Sequence, residues 1–127
     1  MTTATLWGEL ARLGDSVREH TERHPALHVA SVDLFTTGRG RGRAEIYVSG
    51  PRPVACARLL AWWETLAQSS LCLREDPTQA RALLFGKLWD GTIALVAAPL
   101  AEQDTAGIGG ERTGEWVLHW LRMQALS

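Results

Sequence analysis

Apolar side chains near the start of the chain recur at Leu6, Leu10, Leu13 and Val17, spaced by four, three and four positions. That spacing lines one face of a 3.6-residue helix, so the pattern predicts a helix from about Thr5 to Arg23. Pro25 closes it, because the residue before a proline is pushed out of helical geometry. The period then changes to two. Ala30, Val32 and Leu34 alternate with Ser31, Asp33 and Phe35, and Ala44, Ile46 and Val48 alternate with Arg43, Glu45, Tyr47 and Ser49. Two strands are expected, Leu27 to Thr36 and Arg43 to Ser49, each with one apolar and one mixed face. Their pairing must keep the apolar sets together, since a slip of one residue would bury Asp33 and Glu45. A register with Asp33 opposite Tyr47 and Phe35 opposite Glu45 does so.

Gly50, Pro51 and Pro53 end the second strand and open a second helix, where proline in the first turn costs no hydrogen bond. Ala55, Leu59, Trp62 and Leu66 form its stripe, widened by Trp63, and carry the expected helix to about Gln68. Strands are then expected near Ser70 to Arg74, Arg81 to Trp89 and Thr92 to Ala98. The last two flank Asp90-Gly91, which reads as a two-residue hairpin turn. Such a turn pairs Trp89 with Thr92, Lys87 with Ala94 and Phe85 with Val96 on one face. The other face then carries Ala82, Leu84, Gly86 and Leu88 with Ile93, Leu95 and Ala97 as a core set. Beyond a glycine-rich loop over 101–110, a final helix is expected over about 111–126, with Trp116, Trp120 and Met123 on one side.

The order helix, two strands, helix, three strands, helix predicts a single α+β domain over residues 1–127, an antiparallel sheet of about five strands with helices packed on it. This order is similar to the small secretion-chaperone-like α+β domains, and the resemblance implies a dimeric protein-binding module. The hairpin pattern points the same way. One face carries Leu83, Phe85, Trp89 and Val96, joined by Phe35 and Tyr47 when both hairpins share a sheet, and mixes them with Asp33, Glu45, Arg81 and Lys87. An apolar centre with a charged rim is the make-up of a protein interface. The expected role is a non-enzymatic interaction or adaptor module that buries this face as a homodimer or against another protein. The internal alternative is that the final helix covers it, because sheets are often packed on both faces.

Composition narrows the classes. The chain is 46% hydrophobic and 21% charged, as globular domains are, and no apolar run approaches the roughly 20 residues of a membrane span. No membrane partner is expected. The opening residues lack a charged start followed by an unbroken apolar run, so no secretory leader is read and a cytoplasmic location is expected. Cys56 and Cys72 are too sparse for a disulfide framework. Lys87 is the sole lysine among 13 basic residues, a bias associated with GC-rich bacterial genomes. With 14 acidic residues the formal charge is −1, so no global field draws the protein to polyanions.

The stretch TTGRGRGR at 36–43 interleaves three glycines with Arg39, Arg41 and Arg43. A phosphate-cradling loop leads from a strand into a helix N-terminus, whereas a strand follows here. A hairpin turn is the first reading; a basic tip resting on phosphates, making this a nucleic-acid-associated protein, is the second. Residues 41–48 start like an RNA-recognition strand, but Arg43, Glu45 and Val48 stand where stacking aromatics are needed. His20 and His24 lie one helical turn apart, a spacing usable by zinc, with no third ligand in view. Asp33 and Glu45 share a strand face, as acid/base pairs do, although solvated strand faces look the same. No nucleophile motif appears, and no catalytic residue or cofactor is assigned. A small-molecule pocket under the tryptophan-bearing helices is the third reading.

Overall fold

Among the described residues the change of period from 3.6 to two and back produces three helices and a sheet. The computed structural model describes residues 3–36, 42–75, 79–106, 108 and 110–126. Its elements are α1 (Thr3–Arg23), β1 (Ser31–Phe35), β2 (Arg43–Tyr47), α2 (Arg52–Trp63), β3 (Ala67–Glu75), β4 (Ala80–Lys87), β5 (Ile93–Leu100), a 3₁₀ turn at Glu102–Asp104, β6 (Glu111–Thr113) and α3 (Glu115–Ala125). The fold is α+β. The sheet differs from the expected antiparallel five strands: among the described residues it has six, in the order β1-β2-β5-β4-β3-β6, and β2 runs parallel to β5. The hairpin β1–β2 and the meander β3–β4–β5 are each local; the parallel seam joins them.

Two helix boundaries and one strand register differ from the expectation. The second helix stops at Trp63 rather than near Gln68, because the Thr65 hydroxyl donates to the Trp62 carbonyl at 2.9 Å and competes with the next helical turn. Leu66 stays buried all the same. The first residues of the expected final helix form β6 instead, pairing Glu111, Arg112 and Thr113 with β3, and the helix starts only after Gly114, whose φ of 74° breaks the strand. In the first hairpin Asp33 lies opposite Glu45 and Phe35 opposite Arg43, two positions from the expected register. A shift of two leaves every side chain on its expected face.

The fourth difference has larger consequences. Asp90-Gly91 is part of a three-residue loop, Trp89-Asp90-Gly91, in which the Gly91 N–H donates to the Leu88 carbonyl at 2.9 Å and the Leu88 N–H to the Thr92 carbonyl at 2.8 Å. Gly91 takes φ +89°, the left-handed conformation that closes a three-residue hairpin. One extra loop residue moves the register by one. Lys87 therefore pairs with Ile93, Phe85 with Leu95 and Leu83 with Ala97, while Gly86 pairs with Ala94 and Leu84 with Val96. Relative to expectation, β5 is turned over: Val96 is fully buried with Ala94 and Ala98 under the helices, and Ile93, Leu95 and Ala97 face the other way.

All three helices cover one face of the sheet. α1 packs over β1 and β2, α2 over β5 and β4, and α3 beside α2 over β3. Ala44, Ile46, Val48, Leu73, Ala82, Leu84, Ala94, Val96 and Ala98 meet Val17, Ala55, Cys56, Leu59, Trp62, Val117 and Leu121 in one core. Trp62 is its largest member and gives its indole N–H to the His28 carbonyl at 2.9 Å, so its burial strands no donor. In α3 the buried stripe is Val117 and Leu121; Trp116 and Met123 are about half exposed, and Arg112 lies over the Trp116 ring. The final helix thus leaves the second face open.

Gly42, the last glycine of the Gly/Arg stretch, has a packing reason to be there. A Cβ built on it would lie 2.5 Å from Cδ1 of Leu13, which is fully buried in α1. Gly42→Ala is therefore expected to destabilise the fold by about 1–3 kcal/mol through overpacking, measured as a lower midpoint in urea with an unchanged m-value.

Candidate functional site

The open face is built from the alternate positions that the helices do not need. Its rows follow from the register: Phe35, Arg43, Ile93 and Lys87; then Asp33, Glu45, Leu95, Phe85 and Ser70; then Ser31, Tyr47, Ala97, Leu83, Cys72 and Thr113; then Pro99, Arg81, Arg74 and Glu111. Cys72, Leu83 and Ala97 are buried at its centre, with Tyr47 and Leu95 packed against them, in a second apolar cluster to which no helix contributes among the described residues. Around it Phe35, Phe85 and Ile93 are 44%, 41% and 54% exposed. The centre is shaded only by its own neighbours on the sheet.

Of the residues that the sequence singled out for an interaction surface, Phe35, Tyr47, Leu83 and Phe85 are brought together here. Val96 is not: it lies on the helix side, for the turn reason given above. Trp89 is also elsewhere. It sits in the hairpin loop under the Arg23 guanidinium of α1, 4.1 Å from the ring centre. Ile93 and Leu95 were missed on this face. Both faces of β5 are apolar, so alternation alone left its orientation open, and the orientation hung on the length of a turn.

Polar groups on the face are partly paired within it. Arg43 reaches Glu45 at 3.4 Å and lies over the Phe35 ring, and Arg74 reaches Glu111 at 3.4 Å. Burial, and then the Glu45 and Asp33 carboxylates, raise the Tyr47 hydroxyl above its usual range, with Arg81 pulling the other way. The Cys72 thiol donates to Glu111 at 3.0 Å. Burial first, and then that carboxylate, push it up to about 11. Cys56, inside the core, is also pushed up to about 11 by burial. Neither is a thiolate at neutral pH, and both are unpaired.

The remaining sequence candidates have other places. Arg39 and Arg41 lie outside the described residues, and Arg43 is the stacked partner of Phe35 just described. Asp33 and Glu45 face each other across β1 and β2. His20 and His24 are neighbours, with ring centres 4.9 Å apart, but both nitrogens of His20 are already in use. The Trp89 backbone N–H donates to His20 Nδ1 at 3.1 Å, which fixes the neutral tautomer with hydrogen on Nε2, and that N–H donates to the Thr65 hydroxyl at 2.9 Å. The ring stacks on Trp62 at 5.5 Å and is fully buried. No group of three or more His, Cys, Asp or Glu side chains is placed to hold a metal among the described residues. A cleft of about 290 Å³ lies where Trp63 meets the start of α3, lined also by Ser70, Leu71 and Leu118. It is open at the surface between helices and sits at the bottom of the size range for ligand pockets.

Comparison with known proteins adds no likeness: no family model, no curated protein and no solved structure matches the chain. Among the described residues no helix is long and apolar enough to cross a membrane.

His20 joins α1, the end of α2 and the β4–β5 loop, and it does so only when neutral. Burial, then the neighbouring His24, hold its pKa below the usual histidine value, with Arg23 adding to the effect and Asp90 opposing it. The unfolded chain therefore takes up a proton near pH 6.5 that the folded chain resists. Stability from this group is complete above pH 6.5 and falls as the pH drops below it, until the folded value is reached. Asp90 acts in a lower window. Burial alone would raise it, but hydrogen bonds from the Thr92 N–H and hydroxyl and from Ser16 outweigh burial and lower it, so its contribution is lost only as pH falls through the acid range below its ordinary value. Urea unfolding between pH 5 and 8 should show stability declining below about pH 6.5. His20→Gln should flatten that slope and cost about 1–3 kcal/mol at neutral pH.

Proposed function

We propose that this chain is a small non-enzymatic protein-interaction module of the cytoplasm whose open sheet face docks another polypeptide. The observation that carries the reading is the one-sidedness of the helix layer. Three helices cover one sheet face, and the other presents aromatic and aliphatic side chains over a buried apolar centre, with Asp33, Arg81, Lys87 and Arg74 around it. A sheet face meant only for water alternates to polar residues. Contiguous apolar surface rimmed by charge is where soluble proteins meet partners. Each large side chain buried there is worth about 1.5–3 kcal/mol when fully covered, and Phe35, Phe85 and Ile93 stand close to half exposed. Two unpaired thiols agree with a reducing compartment.

The test places a photo-crosslinking residue at position 85 or 93 in the living host, with position 11 on the exposed side of α1 as control. Polypeptide adducts are expected from 85 and 93, not from 11, and the adduct from 93 should disappear when Phe85 is replaced by Asp. Adducts equally abundant from all three positions, or none from the sheet face, would count against the proposal. Because Phe85 is 41% exposed, Phe85→Asp gives up only part of the transfer free energy of the ring and should lower the unfolding free energy by about 1–2 kcal/mol while the chain stays folded.

A further inference from the structure

Charge is distributed across the open face with a direction. Arg43 with Glu45, and Arg74 with Glu111, neutralise each other within the chain. What remains is Asp33, which accepts a hydrogen bond from the Tyr47 hydroxyl, at the β1 side and Arg81 with Lys87 at the β4 side; among the described residues none of the three is in an ion pair. We infer that the occupant of the face is a second copy of this chain, docked about a two-fold axis that lies in the interface between Tyr47 and Ala97 and brings Asp33 of each copy to Arg81 of the other. This rests on the interaction reading above and names its partner.

An isologous contact requires a surface complementary to itself, and the register allows this to be checked position by position. Asp33, Glu45, Leu95 and Phe85 form one row, and Arg81 stands four residues along β4 from Phe85. Asp33 and Arg81 are therefore separated by three strand spacings and two side-chain rows, about 14 Å in each direction. The midpoint falls between Tyr47 and Ala97. Turning the face about a diagonal axis through that point lays Phe85 on Phe85 and Leu95 over the Leu83 and Phe85 of the other copy. Phe35 then meets Arg74. Near the axis apolar positions meet apolar ones, an aromatic pair forms on it, and both acid–base contacts are made at once.

The same geometry fixes the packing mode. A diagonal axis sets the strands of the two sheets crossing near 90°, the orthogonal one of the two arrangements in which sheets stack. Strands of three to nine residues, spaced about 4.8 Å apart, present a footprint on the order of 600 Å², against the roughly 800 Å² that each partner buries in a standard stable interface.

Sedimentation equilibrium of the purified full chain tests the assignment, with circular dichroism confirming that each variant is folded. The wild type is expected to be dimeric at micromolar concentration. Asp33→Arg and Arg81→Asp should each weaken the dimer at least about tenfold, since each sets like charges face to face. Mixing the two single variants should restore association, because opposite charges then meet at both contacts of the heterodimer. A dimer untouched by either substitution, or variants that fail to associate on mixing, would overturn the axis. A monomeric wild type would overturn the second copy. If crosslinks from 85 and 93 then still capture a polypeptide, the interaction reading survives and only the partner changes; if they capture none, the interaction reading itself falls.

Discussion

Asp90 and its neighbours hold a three-residue loop against α1, and the rest of the molecule depends on that hold. The Ser16 hydroxyl donates to Asp90 at 2.8 Å, the Thr92 N–H donates to the same oxygen at 3.0 Å, and His20 accepts the N–H of Trp89. Three hydrogen bonds within the loop and between it and the helix thus agree on one loop length. Loop length sets the parity of β5 against β4, and parity decides which half of the side chains on β5 lies under the helices. Ala94, Val96 and Ala98 go inward, where small side chains let α2 approach the sheet. The bulkier Ile93 and Leu95 go outward.

An open face of this kind has to coexist with a stable isolated chain. Division into two clusters provides for that. The large core around Trp62 lies wholly on the helix side, while the smaller cluster of Cys72, Leu83 and Ala97 is closed off by the long side chains around it. Burial at the centre and exposure at the margin let the face remain folded while waiting. His20 contributes differently, tying helix layer to sheet layer at the end remote from β6, through a neutral imidazole whose two nitrogens are both satisfied.

Much of this was readable before any coordinates. The helix and strand periods, the α+β class and most of the core, from Leu13 and Val17 through Ala44, Ile46 and Val48 to Ala55, Leu59, Trp62 and Leu66, follow from apolar spacing alone. The parallel seam was not readable, because nothing local says which strand of each unit lies beside the other. The orientation of β5 was lost for a sharper reason: a two-residue and a three-residue turn both end in Gly91, and both faces of the strand are apolar. Val96 was consequently placed on the surface and Leu95 in the core. Phe35, Tyr47, Leu83 and Phe85 share one face because each pair lies at even spacing or in register on its own hairpin, which a register shift of two does not alter.

The parallel seam also governs how the chain reaches this state. Arg43 pairs with Ile93 and Tyr47 with Ala97, positions about fifty residues apart in the chain, whereas the β1–β2 hairpin and the β3–β4–β5 meander close over short loops. Chain-closure entropy places the two local units first and the seam last. Until it forms, each unit carries a bare strand edge, β2 in one and β5 in the other, and either edge is a template for the wrong chain. A sheet whose finished edges are only five and three residues long is built around a join that is most exposed during synthesis, so contact order, more than final stability, sets the risk that this chain runs on the way to its fold.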